Sequence, residues 1–347
     1  MPKFMKMLVV AAAIIAFGAG MAQARDQIKI VGSSTVYPFS SYVAEELGAT
    51  TKFKAPVVES TGSGGGHKLF MAGAGLDTPD FTNSSRRMKA SELEKNFANG
   101  NKEITEALIG YDGIAIAQNA GNPDFSISKD ELAMAVAEMV PVDGKLVKNP
   151  YKTWDQINSN LPKRKILFYG PPTSSGTRDA FGEMVLGKFA AKHKDLYAAV
   201  SPKGKAKKYE AVRQDGVYVP AGENDNLIVQ KLTKDKDAFG IFGYSYLEEN
   251  SDRIHGAKIN GVSPEPETIA NGEYPISRSL YFYIKKSHLD KVPGMREYVK
   301  LFMSDKMIGS RGLLKRIGLV PLGDELRKQV QKDVLSYKNL TMDDLKK

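Results

Sequence analysis

Four short stretches of this chain combine hydroxyl side chains with glycine or arginine. They are GSST (32–35), STGSGGG (60–66), NSSRR (83–87) and TSSGTR (173–178). Serine and threonine donate hydrogen bonds without adding charge, and glycine lets the backbone approach a ligand closely. Arginine adds charged, bidentate contacts. The composition of these stretches therefore indicates an anion-binding site.

All four stretches occupy the same kind of position, between a predicted strand and a predicted helix. In α/β proteins, ligands bind at the loops that follow the carboxyl ends of the strands. The first turn of a helix has amides without intrahelical partners, and the helix dipole places about +0.5 charge there. No single loop can satisfy all the oxygens of a tetrahedral anion, so we expect the four loops to converge in space.

Each stretch also has a simpler interpretation when it is taken alone. A serine or threonine before a helix is usually an N-cap, worth about 1 kcal/mol, and NSSRR is typical of a solvated turn. Three consecutive glycines cost chain entropy that a plain turn does not require. The occurrence of all four stretches in one chain is what favours a binding site.

The motifs of several other kinds of site are missing. GSGGGHK does not have the G-x-x-x-x-G-K-[ST] spacing of a P-loop, and neither Ser63 nor Ser175 lies in the G-x-S-x-G motif of a nucleophile elbow. The four histidines form no close pair suited to a metal. We expect most of them on the surface, with His67 in a packing role and Trp154 in the core.

Hydrophobic periodicity predicts an α/β fold with largely parallel sheets. A first strand at 28–30 breaks at Gly32, and the helix after it is expected to end at Gly48. Ser91 is expected to cap a later helix. The clearest unit has a strand at 166–169 and then a helix with one apolar stripe. The residues of that stripe are Ala180, Phe181, Met184, Val185 and Phe189.

Two segments that alternate like strands, 107–119 and 274–286, flank a long middle block. They predict a middle domain inserted into a first domain, with both segments crossing between the two. Lobe 1 would comprise 25–112 and 280–347, and lobe 2 would comprise 113–279. We therefore expect a cleft between two lobes that are joined by two crossing strands.

The first 24 residues are predicted to be a cleavable signal peptide. Lys3 and Lys6 precede an almost wholly apolar run at 8–22, and the small residues AQA at 22–24 suit cleavage. The chain has no cysteine, which excludes disulfides, thiolate metal sites and a lipid-modified cysteine. A soluble protein exported to the periplasm is expected.

The formal net charge of +9 is compatible with a solvated surface or with an anionic partner. The basic run SPKGKAKKYE (201–210) lacks the interleaved aromatic residues that would suggest nucleic acid. We therefore expect no nucleic-acid partner.

The same stretches resemble a known family. GSSTVYPF, STGSGGG, DFTNSSR and GPPTSSGTRDAF are similar to segments of the periplasmic phosphate-binding proteins of phosphate ABC transporters, and they occur in that family's order. TWDQI, GIFGYSY and YPISRSLYFY are further similarities, so the resemblance covers most of the mature chain. It implies a two-lobed, type II periplasmic-binding-protein fold with phosphate in the cleft. It also implies delivery to permease subunits in the inner membrane.

The resemblance implies ligand roles in all four stretches. Thr35 and Val36 correspond to hydroxyl and backbone donors of the family's first loop, and Ser63 corresponds to the serine of its glycine-rich loop. Arg86 and Arg178 are assigned to charge pairing. The implied phosphate-binding residues are Ser34, Thr35, Val36, Ser63, Gly64, Ser85, Arg86, Ser175, Gly176, Thr177 and Arg178.

The sequence departs from one branch of that family at two positions. That branch has an aspartate near the position of Ser85 and an arginine at the position of Pro171. A carboxylate accepts a proton from phosphate but repels sulfate, which has none to give. Another acceptor near the cleft must then supply this selectivity. The candidates are Asp179, Glu223 and Asp225.

We therefore predict a monomeric, non-enzymatic phosphate receptor without a catalytic residue, metal or cofactor. One alternative is a receptor for another oxyanion, such as sulfate, molybdate or tungstate. A secreted phosphatase or other hydrolase, and an adhesin that uses the same fold, also remain open.

Overall fold

The residues that the computed structural model describes are 25–173, 175–198, 210–221 and 226–346. The predicted signal peptide lies outside these described residues, as do Ser174, Glu223, Asp225 and nearly all of the basic run. Within the described ranges, no helix has both the length and the apolar character needed to span a membrane.

The described chain alternates strands and helices over most of its length. The strands are β1 (Lys29–Gly32), β2 (Val57–Ser60), β3 (Phe81–Ser84), β4 (Ile104–Asn119), β5 (Ser126–Ile127), β6 (Met139–Val142), β7 (Lys145–Lys148), β8 (Phe168–Gly170), β9 (Tyr218–Pro220), β10 (Phe239–Gly243), β11 (Ile254–Gly256), β12 (Lys258–Ile259) and β13 (Ser277–Lys285). The α-helices are α1 (Tyr37–Thr50), α2 (Gly62–Phe70), α3 (Ala90–Ala98), α4 (Lys129–Val136), α5 (Trp154–Ile157), α6 (Gly176–Phe181), α7 (Lys188–Lys192), α8 (Lys194–Tyr197), α9 (Asn226–Lys234), α10 (Tyr244–Glu249), α11 (Pro266–Ala270), α12 (Met295–Phe302), α13 (Asp305–Ile308) and α14 (Asp324–Leu335). A π-helical stretch, Gly182–Gly187, joins α6 to α7 in one helical run.

The main sheet has the strand order β2-β1-β3-β13-β4-β10-β8-β9, and β11 also pairs with β4. Pairing is parallel among β1, β2 and β3 and among β8, β9 and β10. Pairing is antiparallel where β13 contacts β3 and β4, and where β4 contacts β10. The predicted α/β fold is therefore confirmed, but the main sheet is mixed rather than largely parallel, because its central strands β13 and β4 are antiparallel to their neighbours.

The long strand β4 belongs to both halves of the sheet. Its residues 104–113 pair with β13, whereas 114–117 pair with β10. The segment at Val320 also reaches this junction, because its backbone exchanges hydrogen bonds with Tyr111. One half of the molecule is thus tied to the other by β4 and β13, the two segments that the sequence predicts to cross.

Buried apolar side chains form a separate large core in each half. One core draws its residues from 28–109 and 280–334. The other draws them from 111–276, together with Val320 and Leu322. The predicted lobe boundaries fall inside β4 and β13, where the two cores meet, and they stay a prediction.

Two local expectations need correction. The helix α1 does not end at Gly48 but continues to Thr50. A Cβ at Gly48 would lie 2.9 Å from the Cβ of Ala55, so this glycine allows close packing rather than ending the helix. Ser91 lies inside α3 and does not cap it, because Lys89 occupies the N-cap position.

The clearest predicted unit is largely confirmed. The strand β8 begins at Phe168, two residues later than expected, although Ile166 is also fully buried. Every residue of the predicted stripe on the helical run is buried. Trp154 is fully buried as expected, and its ring packs edge-on against Phe168 and Phe239.

The carboxylate of Asp80 organises a buried polar cluster in lobe 1. One oxygen accepts a hydrogen bond from the backbone amide of Lys29 at 2.8 Å, and the other accepts one from His288 Nδ1 at 2.7 Å. The guanidinium of Arg25 also pairs with this carboxylate. Asp80 and His288 are fully buried. The cluster therefore fixes β1 to the segments before β3 and after β13.

The expectation that most histidines lie on the surface is wrong, since His67 and His288 are fully buried and the other two are half-buried. His67 has the predicted packing role. Its Nε2 lies 3.1 Å from Ser84 Oγ, which itself donates to the carbonyl of Arg86 at 2.6 Å. Ser84 must then accept from Nε2–H, and Nδ1 has no partner among the described residues. Burial lowers the pKa of His67 to about 4.

We predict that Asp80→Ala lowers the free energy of unfolding by about 3–5 kcal/mol, because it leaves the Arg25 guanidinium, the His288 ring and the Lys29 amide without their common acceptor. Urea unfolding followed by circular dichroism measures this change. Asp26→Ala is the matched control, because Asp26 pairs with Lys54 at an exposed site, and it should leave the midpoint nearly unchanged. A midpoint for Asp80→Ala equal to that of the control would contradict the assigned role.

A second prediction concerns pH. Between about pH 6.5 and 4 the unfolded chain protonates residue 67 but the folded protein does not, so stability falls as the pH is lowered through this window, by up to about 3 kcal/mol. His67→Gln should flatten this part of the profile, whereas His255→Gln, at a half-exposed site, should keep it. Unfolding free energies at several pH values test this. An unchanged slope in His67→Gln would refute it.

Candidate functional site

Two adjoining cavities lie beside the carboxyl ends of β1, β2 and β3. The first has a volume of about 520 Å³ and the second about 440 Å³. Ser34 and Thr35, in the loop between β1 and α1, line both of them. The start of α2 lines the first cavity, and the start of α6 lines the second. Three helix N-termini from distant parts of the chain therefore meet around one loop.

The structure places most of the predicted residues around these cavities. Those lining the first cavity are Ser34, Thr35, Ser63, Gly64, Ser85 and Arg86. Those lining the second are Ser34, Thr35, Ser175, Gly176 and Thr177. Val36 and Arg178 line neither cavity.

The first loop is held against β3 by a close backbone contact. Gly32 has a φ of +130°, and a Cβ there would lie 2.1 Å from the carbonyl oxygen of Asn83. The next amide, that of Ser33, donates to the same oxygen at 3.0 Å. Val36 is fully buried, and its amide lies 3.3 Å from Ser33 Oγ. This geometry leaves Ser34 and Thr35 at the wall of the cavities.

The glycine-rich stretch is not a loop over its whole length, because α2 begins at Gly62. A Cβ at Gly66 would lie 2.5 Å from the Cα of Gly32, so this glycine serves the packing of α2 on β1 rather than an approach to a ligand. Gly64 is different, since no heavy atom lies within 4 Å of a Cβ built there. It faces the open first cavity.

Ser63 and Ser85 connect the start of α2 to the loop after β3. Ser63 Oγ accepts a hydrogen bond from the amide of Ser85 at 3.0 Å, and the two hydroxyl oxygens also lie 3.0 Å apart. One hydroxyl proton bridges the two oxygens, which leaves the other free to be donated into the cavity.

Arg86 lines the first cavity with its charge already balanced. Its guanidinium makes two hydrogen bonds to Glu92, at 2.6 and 2.9 Å. Burial opposes ionisation of Glu92, but the hydrogen bonds from Arg86 and from the Lys89 amide prevail and lower the pKa of Glu92 to about 2. The hydrogen bond to Glu92 also raises the pKa of Arg86. The sequence did not predict this pairing.

The start of α6 packs directly on the first loop. Ser175 is the N-cap of α6, and its Oγ accepts from the amide of Thr177 at 3.2 Å. A Cβ at Gly176 would lie 2.9 Å from the carbonyl oxygen of Ser34. The guanidinium of Arg178 lies over the ring of Tyr218, at 5.1 Å from its centroid. Burial lowers the pKa of Arg178.

The structure adds Arg278, which the sequence did not single out. Its side chain lines the first cavity, is only 10% exposed, and donates a hydrogen bond to Thr35 Oγ1. It also contacts Asp112 and Glu183. Burial raises the pKa of Asp112, although Arg278 opposes this shift. Arg278 begins a strand instead of preceding a helix, so the pattern that identified the four loops could not find it.

Carboxylates also line the first cavity. Asp179 is one of the predicted candidates, whereas Glu183 and Glu210 were not predicted. The other two candidates, Glu223 and Asp225, lie outside the described residues. Among those described, no group of three or more His, Asp and Glu side chains is arranged to hold a metal ion.

Comparison with known proteins agrees with this architecture. A family model for the PBP superfamily domain matches residues 18–306. The phosphate-binding protein PstS of Staphylococcus haemolyticus is 31% identical over 289 residues, which are 81% of this chain and 78% of that protein. Protein SphX of Synechococcus elongatus is 30% identical over 297 residues, which are 84% and 76% of the two chains.

Among solved structures, the crystal structure of a possible phosphate binding protein from Planctomyces limnophilus has a TM-score of 0.72 and 27% identity to this chain. It covers 91% of this chain and 100% of its own. The family model spans most of the sequence, and the curated relatives match it over most of their length. The chain therefore belongs to the PBP superfamily and, within it, to the family of the phosphate-binding proteins PstS.

Proposed function

We propose that this protein is a non-enzymatic receptor that binds inorganic phosphate in its cleft and delivers it to the permease of an ABC transporter. The observation that carries the proposal is the meeting of three helix N-termini around Ser34 and Thr35. Its relatives named phosphate-binding proteins support phosphate as the anion.

The chemistry of the cavity walls suits an oxyanion. Helix first turns offer amides without intrahelical partners, and the helix dipole favours negative charge at the same place. We assign hydroxyl donors to Ser34, Thr35, Ser63, Ser85, Ser175 and Thr177. We assign backbone donors to Gly64 and Gly176, and charge to Arg86. The family resemblance also assigns a backbone donor to Val36 and charge to Arg178, which line neither cavity in this structure. Such a set recognises phosphate mainly by aimed hydrogen bonds rather than by a surplus of positive charge.

Arg86 and Arg178 differ in how their charges are balanced. Arg86 has a carboxylate partner in Glu92, whereas burial lowers the pKa of Arg178 and the nearby groups Tyr218, Asp179 and Glu210 oppose this shift only in part. A bound anion close to Arg178 would compensate that cost.

The hydrolase alternative needs a nucleophile with a base in reach of a substrate. Ser63 and Ser175 accept hydrogen bonds from backbone amides. Among the described residues, the serine that hydrogen-bonds to a histidine is Ser84, and both Ser84 and its partner His67 are completely buried. These contacts support a receptor rather than an enzyme.

Selectivity for phosphate over sulfate requires a proton acceptor at the site. Asp179 is the described candidate, because it lines the first cavity and is exposed there. The proposal also places the protein in the periplasm, as a monomer, after removal of residues 1–24.

We predict that phosphate raises the melting temperature of the purified protein by several degrees when it is present at about 1,000 times its Kd, since binding then adds about 4 kcal/mol. A thermal-shift panel with phosphate, arsenate, sulfate and molybdate at fixed ionic strength measures this. A chromogenic phosphate ester, incubated with the same protein, should show no turnover.

Two results of these measurements would contradict the proposal. If sulfate stabilised the protein as well as phosphate does, the receptor for another oxyanion would be the better assignment. Turnover of the ester would favour the phosphatase.

We also predict that Arg178→Ala weakens phosphate binding by roughly 10- to 100-fold, because a desolvated anion loses a charged donor. Calorimetric titration of both proteins gives the ratio of their Kd values. Arg311→Ala is the control, because Arg311 is exposed, and it should bind like the unmodified protein. Unchanged affinity in Arg178→Ala would remove this residue from the site.

A further inference from the structure

Arg278 lies where the two lobes and the two crossing strands come together. It is in β13, directly opposite Asp112 of β4. Its Nε donates to Asp112 at 3.3 Å, its Nη1 donates to Glu183 at 2.9 Å, and its Nη2 donates to Thr35 Oγ1. One guanidinium therefore links the first loop, the junction and the helical run of the other lobe.

The contact with Thr35 sets the direction of that hydroxyl. Because Thr35 Oγ1 accepts from Arg278, its own proton is available for another acceptor. Thr35 lines both cavities. Arg278 is thus a positioning residue for a donor that the proposed function assigns to phosphate.

The hydrogen-bonding capacity of Arg278 is only partly used by these three contacts. A guanidinium has five N–H groups in a rigid fork, and one N–H on each terminal nitrogen remains after the contacts to Glu183 and Thr35. An oxyanion binds such a fork best through two parallel hydrogen bonds. The carboxylate of Glu183 already occupies one N–H of Nη1.

The two carboxylates on Arg278 differ in how easily they can leave. The side chain of Asp112 is 13% exposed, whereas that of Glu183 is 53% exposed and makes one contact with the guanidinium at 2.9 Å. Glu183 can therefore leave the guanidinium and become solvated at a small cost in free energy, whereas the buried Asp112 cannot. Glu183 also lies in the π-helical stretch, a rare conformation that is frequent at functional sites.

We propose that Glu183 is an internal competitor of the anion, which occupies Arg278 when the cleft is empty and is displaced when the anion binds. This inference rests on the proposed function, since it uses the same cavity and the same class of ligand. It assigns to Glu183 the task of lowering affinity, because binding must break an ion pair and bring an anion near a second negative charge. Arg278 then becomes a bidentate ligand of the anion.

Calorimetric titration of Glu183→Gln with sodium phosphate, and separately with sodium sulfate, tests the inference. The side-chain amide of the glutamine is neutral, so it competes only weakly for the guanidinium and does not repel the anion. Both anions should therefore bind to this variant roughly three- to tenfold more tightly than they bind to the unmodified protein. Glu249→Gln is the matched control on the exposed face of α10, and its affinities should not change. Melting temperatures without ligand should be similar in all three proteins.

The possible results separate this inference from the proposed function. Unchanged or weaker binding of both anions by Glu183→Gln overturns the inference alone. Weaker phosphate binding with stronger sulfate binding also overturns it, and assigns Glu183 as the proton acceptor instead. If the unmodified protein binds sulfate but not phosphate, the proposed function fails, and the sulfate titrations still decide the role of Glu183.

Discussion

The geometry of the site depends on one contact between glycines. The helix α2 lies so close to β1 that a Cβ at Gly66 would be 2.5 Å from the Cα of Gly32. Gly32 in turn lies against the backbone of Asn83 at the end of β3. These approaches bring the ends of two strands and the start of a helix within hydrogen-bonding distance of one another, as the bond from the Ser85 amide to Ser63 shows. Without them the serines would not share a cavity.

A close backbone approach at a glycine also joins the second lobe to the first. Gly176 contacts the carbonyl oxygen of Ser34, so the first turn of α6 rests on the loop that α1 and α2 already surround. A helix start brings partial positive charge to the place where it packs. Helix N-termini that lie close together repel one another unless a negative charge lies between them. The carboxylates of Asp179, Glu183 and Glu210 line the first cavity. The protein thus supplies its own negative charge beside the donors.

Much of this arrangement could be predicted from the sequence, because strand, loop and helix signals are local. The loops at Ser34, Ser63 and Ser175 were found by residue type and by position before a helix. The side-chain contacts that determine the chemistry of these loops could not be predicted in the same way. Glu92 neutralises Arg86, and Arg278 reaches Thr35 from 243 positions away in sequence. Periodicity carries no information about such pairs. The start of α2 at Gly62 was missed because glycine is a weak helix former, and packing against β1 outweighs that preference.

The continuity of β4 limits how the lobes can move. Two lobes joined by loops could rotate freely, but here one strand changes partner from β13 to β10 within a few residues. Opening the cleft must therefore twist paired strands at Asp112 and Gly113, where the backbone is hydrogen-bonded on both sides of the change. Arg278 is attached to this point through Asp112, so one side chain connects the cavity to the junction of the two lobes. An anion that replaces one partner of Arg278 would thus be coupled to the junction by a single side chain, without a longer path through either core.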